Sequence, residues 1–157
     1  MLNEDYKDML RALNAQEAEF LLIGAYAMAA HGYPRATMDI DLWVRPTKDN
    51  AEKVLAALGD FGAPMHELDL QDLMTPGTVF QIGVAPRRID ILTSASGLDY
   101  EAAANRSMSI DIEGIPIRVV MIDDLIINKS ATGRLKDAAD IEALEHLKLN
   151  GPRNADP

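Results

Sequence analysis

One hexapeptide, Asp39-Ile40-Asp41-Leu42-Trp43-Val44, constrains this chain more than any other stretch. Its apolar and β-branched residues read as a strand, entered from Thr37. Alternate side chains of a strand share one face. Asp39 and Asp41 therefore point the same way, with Cα atoms roughly 7 Å apart. Two carboxylates crowded beside a core repel each other unless a cation lies between them. Hard divalent cations such as Mg²⁺ take carboxylate oxygens together with phosphate oxygens. The strand has to sit in a sheet that presents both acids to one site.

The flanking segments predict that sheet. Tyr6, Met9, Leu10 and Leu13 recur at helical spacing, which predicts an amphipathic helix over 4–15. Phe20-Leu21-Leu22-Ile23 reads as a buried strand ending at Gly24. The Ala-rich run 25–31 predicts a helix closed by Gly32 and Pro34. Pro46-Thr47 opens a helix over 48–59, with Val54, Leu55 and Leu58 inward and Gly59 terminal. Residues 60–78 read as irregular or lightly helical. Strands follow at 79–84 and 88–92, and a hairpin at 110–112 and 115–120 turns on Glu113-Gly114. Residues 123–149 predict two helical pieces broken at Gly133, and 150–157 a disordered tail. The expectation is one α/β (α+β) domain over 1–149, a mixed β-sheet flanked by helices. A chain of 157 residues can bury such a core.

Composition excludes several classes. No apolar run reaches the roughly 18 residues of a membrane span. The polar, acidic start lacks the pattern of a signal peptide. Absence of cysteine excludes disulfides and thiolate metal sites and fits a cytoplasmic protein. A net charge of −10 argues against broad, non-specific nucleic-acid binding. A local basic patch is still open to Arg87, Arg88, Arg106, Arg118, Lys129, Arg134 and Lys136 in the second half.

A metal site needs a third carboxylate, and Asp90 is the best candidate. It lies among apolar strand neighbours, where an acid without a partner is costly. If its strand pairs beside Asp39 and Asp41, three carboxylates converge. They could then hold two metals about 3.5–4 Å apart for in-line displacement. The alternative is a salt bridge from Asp90 to Arg87 or Arg88 at a sheet edge. Asp111 is a rival third acid, but its hairpin setting favours exposure. Gly24 ends a strand before a helix, whose first N–H groups can meet phosphate. Arg35 reads equally as a phosphate contact or an exposed loop residue. Thr37 can fix the loop by bonding backbone groups, and His31 could reach the site but better suits packing at the helix end. Lys129 and Arg134 flank the late helical break. They would neutralise phosphate charge or decorate a solvated face in i,i+3 and i,i+4 pairs. The order of these features points to phosphoryl or nucleotidyl transfer.

The stretch Phe20 to Leu42, with Gly24-Ala25, His31-Gly32-Tyr33-Pro34-Arg35-Ala36-Thr37 and Asp39-Ile40-Asp41, resembles the signature of minimal nucleotidyltransferases of the polymerase-β superfamily. The resemblance continues through Arg88-Ile89-Asp90-Ile91-Leu92. It ends on Lys129 and Gly133-Arg134-Leu135-Lys136-Asp137, similar to the AbiEii-type toxin group. It implies a polymerase-β-like nucleotidyltransferase fold. Asp39, Asp41 and Asp90 would be the catalytic, metal-binding triad. Gly24, Ala25, Arg35, Thr37, Lys129 and Arg134 would bind nucleotide. Mg²⁺ or Mn²⁺ would be the cofactor, an NTP the donor, and RNA such as tRNA, or protein, the acceptor. A cognate antitoxin or other partner protein is implied by the toxin group. Ala25 stands where the superfamily usually has Gly or Ser, so only its backbone N–H can serve phosphate. The competing reading is a catalytically quiet member of the same fold, acting by binding as a regulator or antitoxin-like partner.

Overall fold

A computed structural model describes residues 2–151. Six strands form one mixed sheet in the order β3-β4-β2-β1-β6-β5. They are β1 (Phe20–Ile23), β2 (Asp39–Val44), β3 (Val79–Ile82), β4 (Arg88–Leu92), β5 (Met108–Ile112) and β6 (Ile115–Val119). Strand β2 pairs antiparallel with β1 and parallel with β4; β1 runs parallel to β6. The outer strands β3 and β5 pair antiparallel with β4 and β6. The strand carrying the aspartates is therefore interior, covered on both sides by backbone pairing.

Helices α1 (Glu4–Ala15), α2 (Ala25–Ala30), α3 (Lys48–Phe61), α4 (Leu70–Met74), α5 (Tyr100–Arg106), α6 (Ile122–Thr132) and α7 (Ala138–Asn150) complete the chain. Asn3 caps α1 by accepting from Tyr6 N–H. Its Tyr6, Met9, Leu10 and Leu13 are fully buried in the core with Leu21, Leu22, Leu42 and Trp43. Each such side chain contributes about 1.5–3 kcal/mol of apolar burial. None of the described helices is long and apolar enough to cross a membrane.

Several boundaries differ from the sequence expectation. Helix α3 runs through Gly59 to Phe61 and ends at Gly62, which takes the left-handed conformation at φ 92°. Strand β2 begins at Asp39 rather than 37, and β3 stops at Ile82 before Gly83 turns. Helix α5, not expected from sequence, starts at Asp99, whose side chain accepts from Ala102 N–H at 3.0 Å. Asn150 is the last residue of α7, and positions 152–157 of the expected tail lie outside the described residues. In the hairpin, Glu113 and Gly114 both have positive φ, as a two-residue primed turn requires. Asp111 accepts from Gly114 N–H at 2.8 Å, so this rival acid serves the turn.

Asn50 ties the sheet to α3. This buried amide donates to Glu19 C=O at 2.8 Å and Arg45 C=O at 2.9 Å, and accepts from Glu19 N–H at 2.6 Å. It joins the start of β1 to the end of β2. The opposite ends of those strands carry the site.

Candidate active site

Strand register assembles the acids. Across β2 and β4, Asp41 faces Asp90 and Asp39 faces Arg88. All four side chains share a face by the two-residue alternation. Carboxylate oxygens of Asp39, Asp41 and Asp90 lie within 4.8 Å of one another. The salt-bridge alternative for Asp90 is also present, though at an interior strand. Arg88 Nε donates to Asp90 Oδ1 at 2.9 Å. Its Nη2 donates to Asp90 Oδ2 at 3.2 Å and to Asp39 Oδ2 at 2.6 Å. Arg87 instead lies 3.8 Å from Asp5. The Tyr6 hydroxyl lies within donating distance of both Pro86 C=O, 3.1 Å, and Arg88 C=O, 3.2 Å, at the start of β4.

Asp41 is different. Its carboxylate has no hydrogen bond or salt bridge among the described residues. Burial above all, then the charges of Asp39 and Asp90, push its pKa up to about 7 against the pull of Arg88 and Lys129. An acid left without a donor beside two others fits a hard divalent cation. Asp39, Asp41 and Asp90 are the residues that could hold it.

Gly24 belongs to this geometry for a steric reason. Ile23 pairs with Asp41, so the turn after β1 runs against the Asp41 side chain. A Cβ at Gly24 would lie 2.3 Å from Asp41 Oδ2. The backbone there, φ 80° and ψ −154°, is a region essentially confined to glycine. Thr37 Oγ1 lies 3.2 Å from Asp39 C=O, to which it donates, and fixes the entry to β2. His31 contacts Val120 C=O through Nε2 at 2.7 Å and pins the end of α2 to the end of β6.

The late helical break supplies the cations. Gly133 takes φ 67° after α6, and a short 3-10 turn, Leu135–Asp137, leads into α7. Lys129 Nζ lies 3.3 Å from Asp137 Oδ1 and 3.0 Å from Asp140 Oδ2. Arg134 Nε donates to Asp137 Oδ2 at 2.7 Å, and Thr132 Oγ1 donates to the same oxygen at 2.7 Å. Arg35 is ion-paired with Asp140. Burial alone would raise the Asp137 pKa; the Thr132 and Arg134 hydrogen bonds and the Lys129 charge outweigh it and hold it at about 2. Lys129, with its side chain only 11% exposed, is not on a solvated face, whereas Arg134 is half exposed.

Gly24, Ala25, Arg35, Thr37, Asp39, Asp41, Lys129 and Arg134 all line one cleft of about 220 Å³, with Lys136, Asp137 and Asp140. Asp90 lies behind it, joined through Arg88. Sequence reasoning missed Arg88 as the bridge; it set Asp137 and Asp140 beside the late cations as motif members or ion-pair partners but gave them no place in the site. Their only signal was acids spaced three and eleven residues from cations in a stretch that packs two helices. A second groove, of about 670 Å³, shares Ala25, Arg35 and Thr37 with the cleft and extends over Tyr26, Ile110 and Ile112 to Asp111 and Glu113.

Residues 1–149 match the model of a family described as nucleotidyltransferases of unknown function, DUF6036. The chain belongs to this nucleotidyltransferase family. The narrower likeness to the AbiEii-type group rests on motif order alone. Solved structures share the family's fold. The Thermotoga maritima protein TM1012, described as a candidate nucleotidyltransferase, is 13% identical with a TM-score of 0.57, over 95% of this chain and 96% of its own. ANT(2")-Ia, in complex with adenylyl-2"-tobramycin, is 18% identical with a TM-score of 0.59, over 92% of this chain and 87% of its own. JHP933 from Helicobacter pylori is 18% identical with a TM-score of 0.51, over 96% of this chain and 68% of its own. A comparison with curated proteins finds no sequence match.

Proposed function

We propose that this family member transfers a nucleoside monophosphate from an NTP to an acceptor hydroxyl, with Mg²⁺ or Mn²⁺ as cofactor. The β2–β4 register carries the reading, because it brings Asp39, Asp41 and Asp90 to one face beside a cation-lined cleft. The acceptor oxygen forms a bond to the α-phosphorus while the bond to the β-phosphate oxygen breaks. Pyrophosphate leaves, and the acceptor's proton passes to a carboxylate of the triad. Asp39 and Asp41, with Asp90 beside them, would hold the cation, which would supply charge neutralisation and orientation of the phosphates. Backbone N–H groups at the Gly24–Ala25 turn take phosphate oxygens. Arg35, Lys129 and Arg134 stabilise the charge that grows on the leaving group.

The superfamily resemblance would make the acceptor a hydroxyl of RNA or protein. A small hydroxyl compound is favoured by a specific observation. The groove beside the cleft, about 670 Å³, falls within the roughly 300–1,000 Å³ of small-molecule sites. The net charge of −10 also works against an extended RNA contact. The complex of ANT(2")-Ia with adenylyl-2"-tobramycin gives this class a precedent in the fold. A toxin role, with an antitoxin as partner, rests on the resemblance to the toxin group.

The test is incubation with each NTP and Mg²⁺, with RNA, protein or a small polyol as acceptor. Pyrophosphate release and a mass shift of one nucleotide on the acceptor are expected, and both should vanish in Asp39→Ala. NTP binding without pyrophosphate release under every acceptor would favour the catalytically quiet reading.

A further inference from the structure

We propose that Arg88 serves as a built-in cation of this site, so that the aspartate triad takes one divalent ion rather than two. The inference rests on the metal-dependent reading above and deepens it.

The four side chains on the shared face are three acids and one guanidinium, a formal charge of −2. The guanidinium is not a distant counter-charge. It meets Asp90 through both Nε and Nη2 and reaches Asp39 through Nη2. Such a fork is a charge-assisted, geometrically specific bond. Its donors occupy both oxygens of Asp90 and one of Asp39. What stays open toward the cleft is the Asp41 carboxylate and Asp39 Oδ1, the latter 3.4 Å from Thr37 Oγ1.

This separates the triad into two parts. Asp39 and Asp41 offer free oxygens on one strand, next to the cleft. Asp90, only 6% exposed, is already satisfied. A two-ion site needs free carboxylate oxygens on both sides of the pair of metals. Charge arithmetic agrees. In the NTP-free protein one divalent ion brings the face from −2 to neutral, and a second would leave +2 in a partly buried setting. Arg88 is positioned for this by strand register opposite Asp39, by alternation beside Asp90, and by the Tyr6 hydroxyl at its backbone carbonyl. It acts as a positioning residue: it holds Asp90 and Asp39 at fixed separation and fills the place of the second ion.

Mn²⁺ titration of the NTP-free protein, with free Mn²⁺ counted by electron paramagnetic resonance, reads the stoichiometry directly. The wild-type protein should bind one ion at the triad. Arg88→Met, of similar length but uncharged, should bind two. Adding Asp90→Asn to it should return the count to one. Arg88→Lys keeps a cation and should hold the count at one; it also provides a folded comparison should the Met variant unfold. Circular dichroism checks the fold of each. Two ions in the wild type, or one ion with unchanged affinity in Arg88→Met, would overturn the role of Arg88 while leaving the metal site standing. No ion in any of these proteins would overturn the metal-dependent reading and this role with it.

Discussion

Substituting Gly24 with alanine tests the site geometry without touching a charged group. The added methyl carbon would lie 2.3 Å from Asp41 Oδ2 and 3.2 Å from Asp41 Cγ, so the carboxylate has to rotate away. The alanine must also adopt φ 80° and ψ −154°. A glycine-only backbone conformation costs on the order of 1–3 kcal/mol, and an off-rotamer side chain about 0.5–1.5. The sum is roughly 2–4 kcal/mol, or about 5–15 °C in melting temperature for a domain of this size. Gly59 is the internal control. It lies inside α3, where an added methyl carbon would meet nothing within 4 Å and the backbone has no positive φ. Gly59→Ala should therefore stabilise by about 0.5–1 kcal/mol, as in any exposed helix interior. Urea unfolding followed by far-ultraviolet circular dichroism measures both, with equal slopes required for comparison. Mn²⁺ affinity should fall in Gly24→Ala and stay constant in Gly59→Ala. The reasoning fails if Gly24→Ala is as stable as wild type, or if it is destabilised while its Mn²⁺ affinity is unchanged.

Three further outcomes are expected. The Asp41 pKa, raised to about 7, means its charge costs stability that disappears on protonation. The stability gap between Asp41→Asn and the metal-free wild type should thus open as pH rises from about 4 to about 7, reach on the order of a few kcal/mol, and stay flat above; a gap independent of pH contradicts it. Asp90→Asn should retain NTP binding in a thermal-shift assay but lose transfer by about 100-fold or more, and retained turnover would remove Asp90 from the chemistry. Lys129→Gln removes one charged hydrogen-bond donor from the buried Asp137 and Asp140, which keep Arg134 and Arg35, and should cost about 1.5–3 kcal/mol, whereas half-exposed Arg134→Gln should cost about 1 or less yet weaken NTP binding and its salt dependence; equal stability losses in the two would count against the assigned burial roles.

What could be read from sequence was local. The face shared by Asp39 and Asp41 follows from a two-residue repeat, and the Glu113-Gly114 turn from a glycine between two alternating apolar runs. The Gly24 turn was legible as a strand end before an Ala-rich helix. What could not be read depended on pairing between distant segments. Asp90 was named from its apolar neighbours and from the family resemblance, but its convergence with Asp39 and Asp41 depends on β2 and β4 running parallel with Asp41 opposite Asp90, and no short window of residues encodes that register. The same register turns Arg88 from a neighbour in sequence into a bridge between strands. Lys129 was open to two readings, phosphate contact or solvated face; its burial comes from α6 folding back on α7 at Gly133. Helix α5 is short and Ala-rich, so its cap at Asp99 carried more signal than its periodicity.

The cleft's cations are already engaged: Arg35 and Lys129 with Asp140, Arg134 and Lys129 with Asp137. A phosphate chain entering there competes with resident carboxylates, so its binding is an exchange of one set of anions for another. Only the difference between the two sets appears as affinity. A ligand with a single phosphate gains little from such an exchange, because it replaces one carboxylate and leaves the other in place. A ligand with several linked phosphates replaces both at the entropic expense of one molecule. On the proposed function, discrimination by phosphate number would then follow from Asp137 and Asp140, which pair with the cations rather than join the aspartate triad.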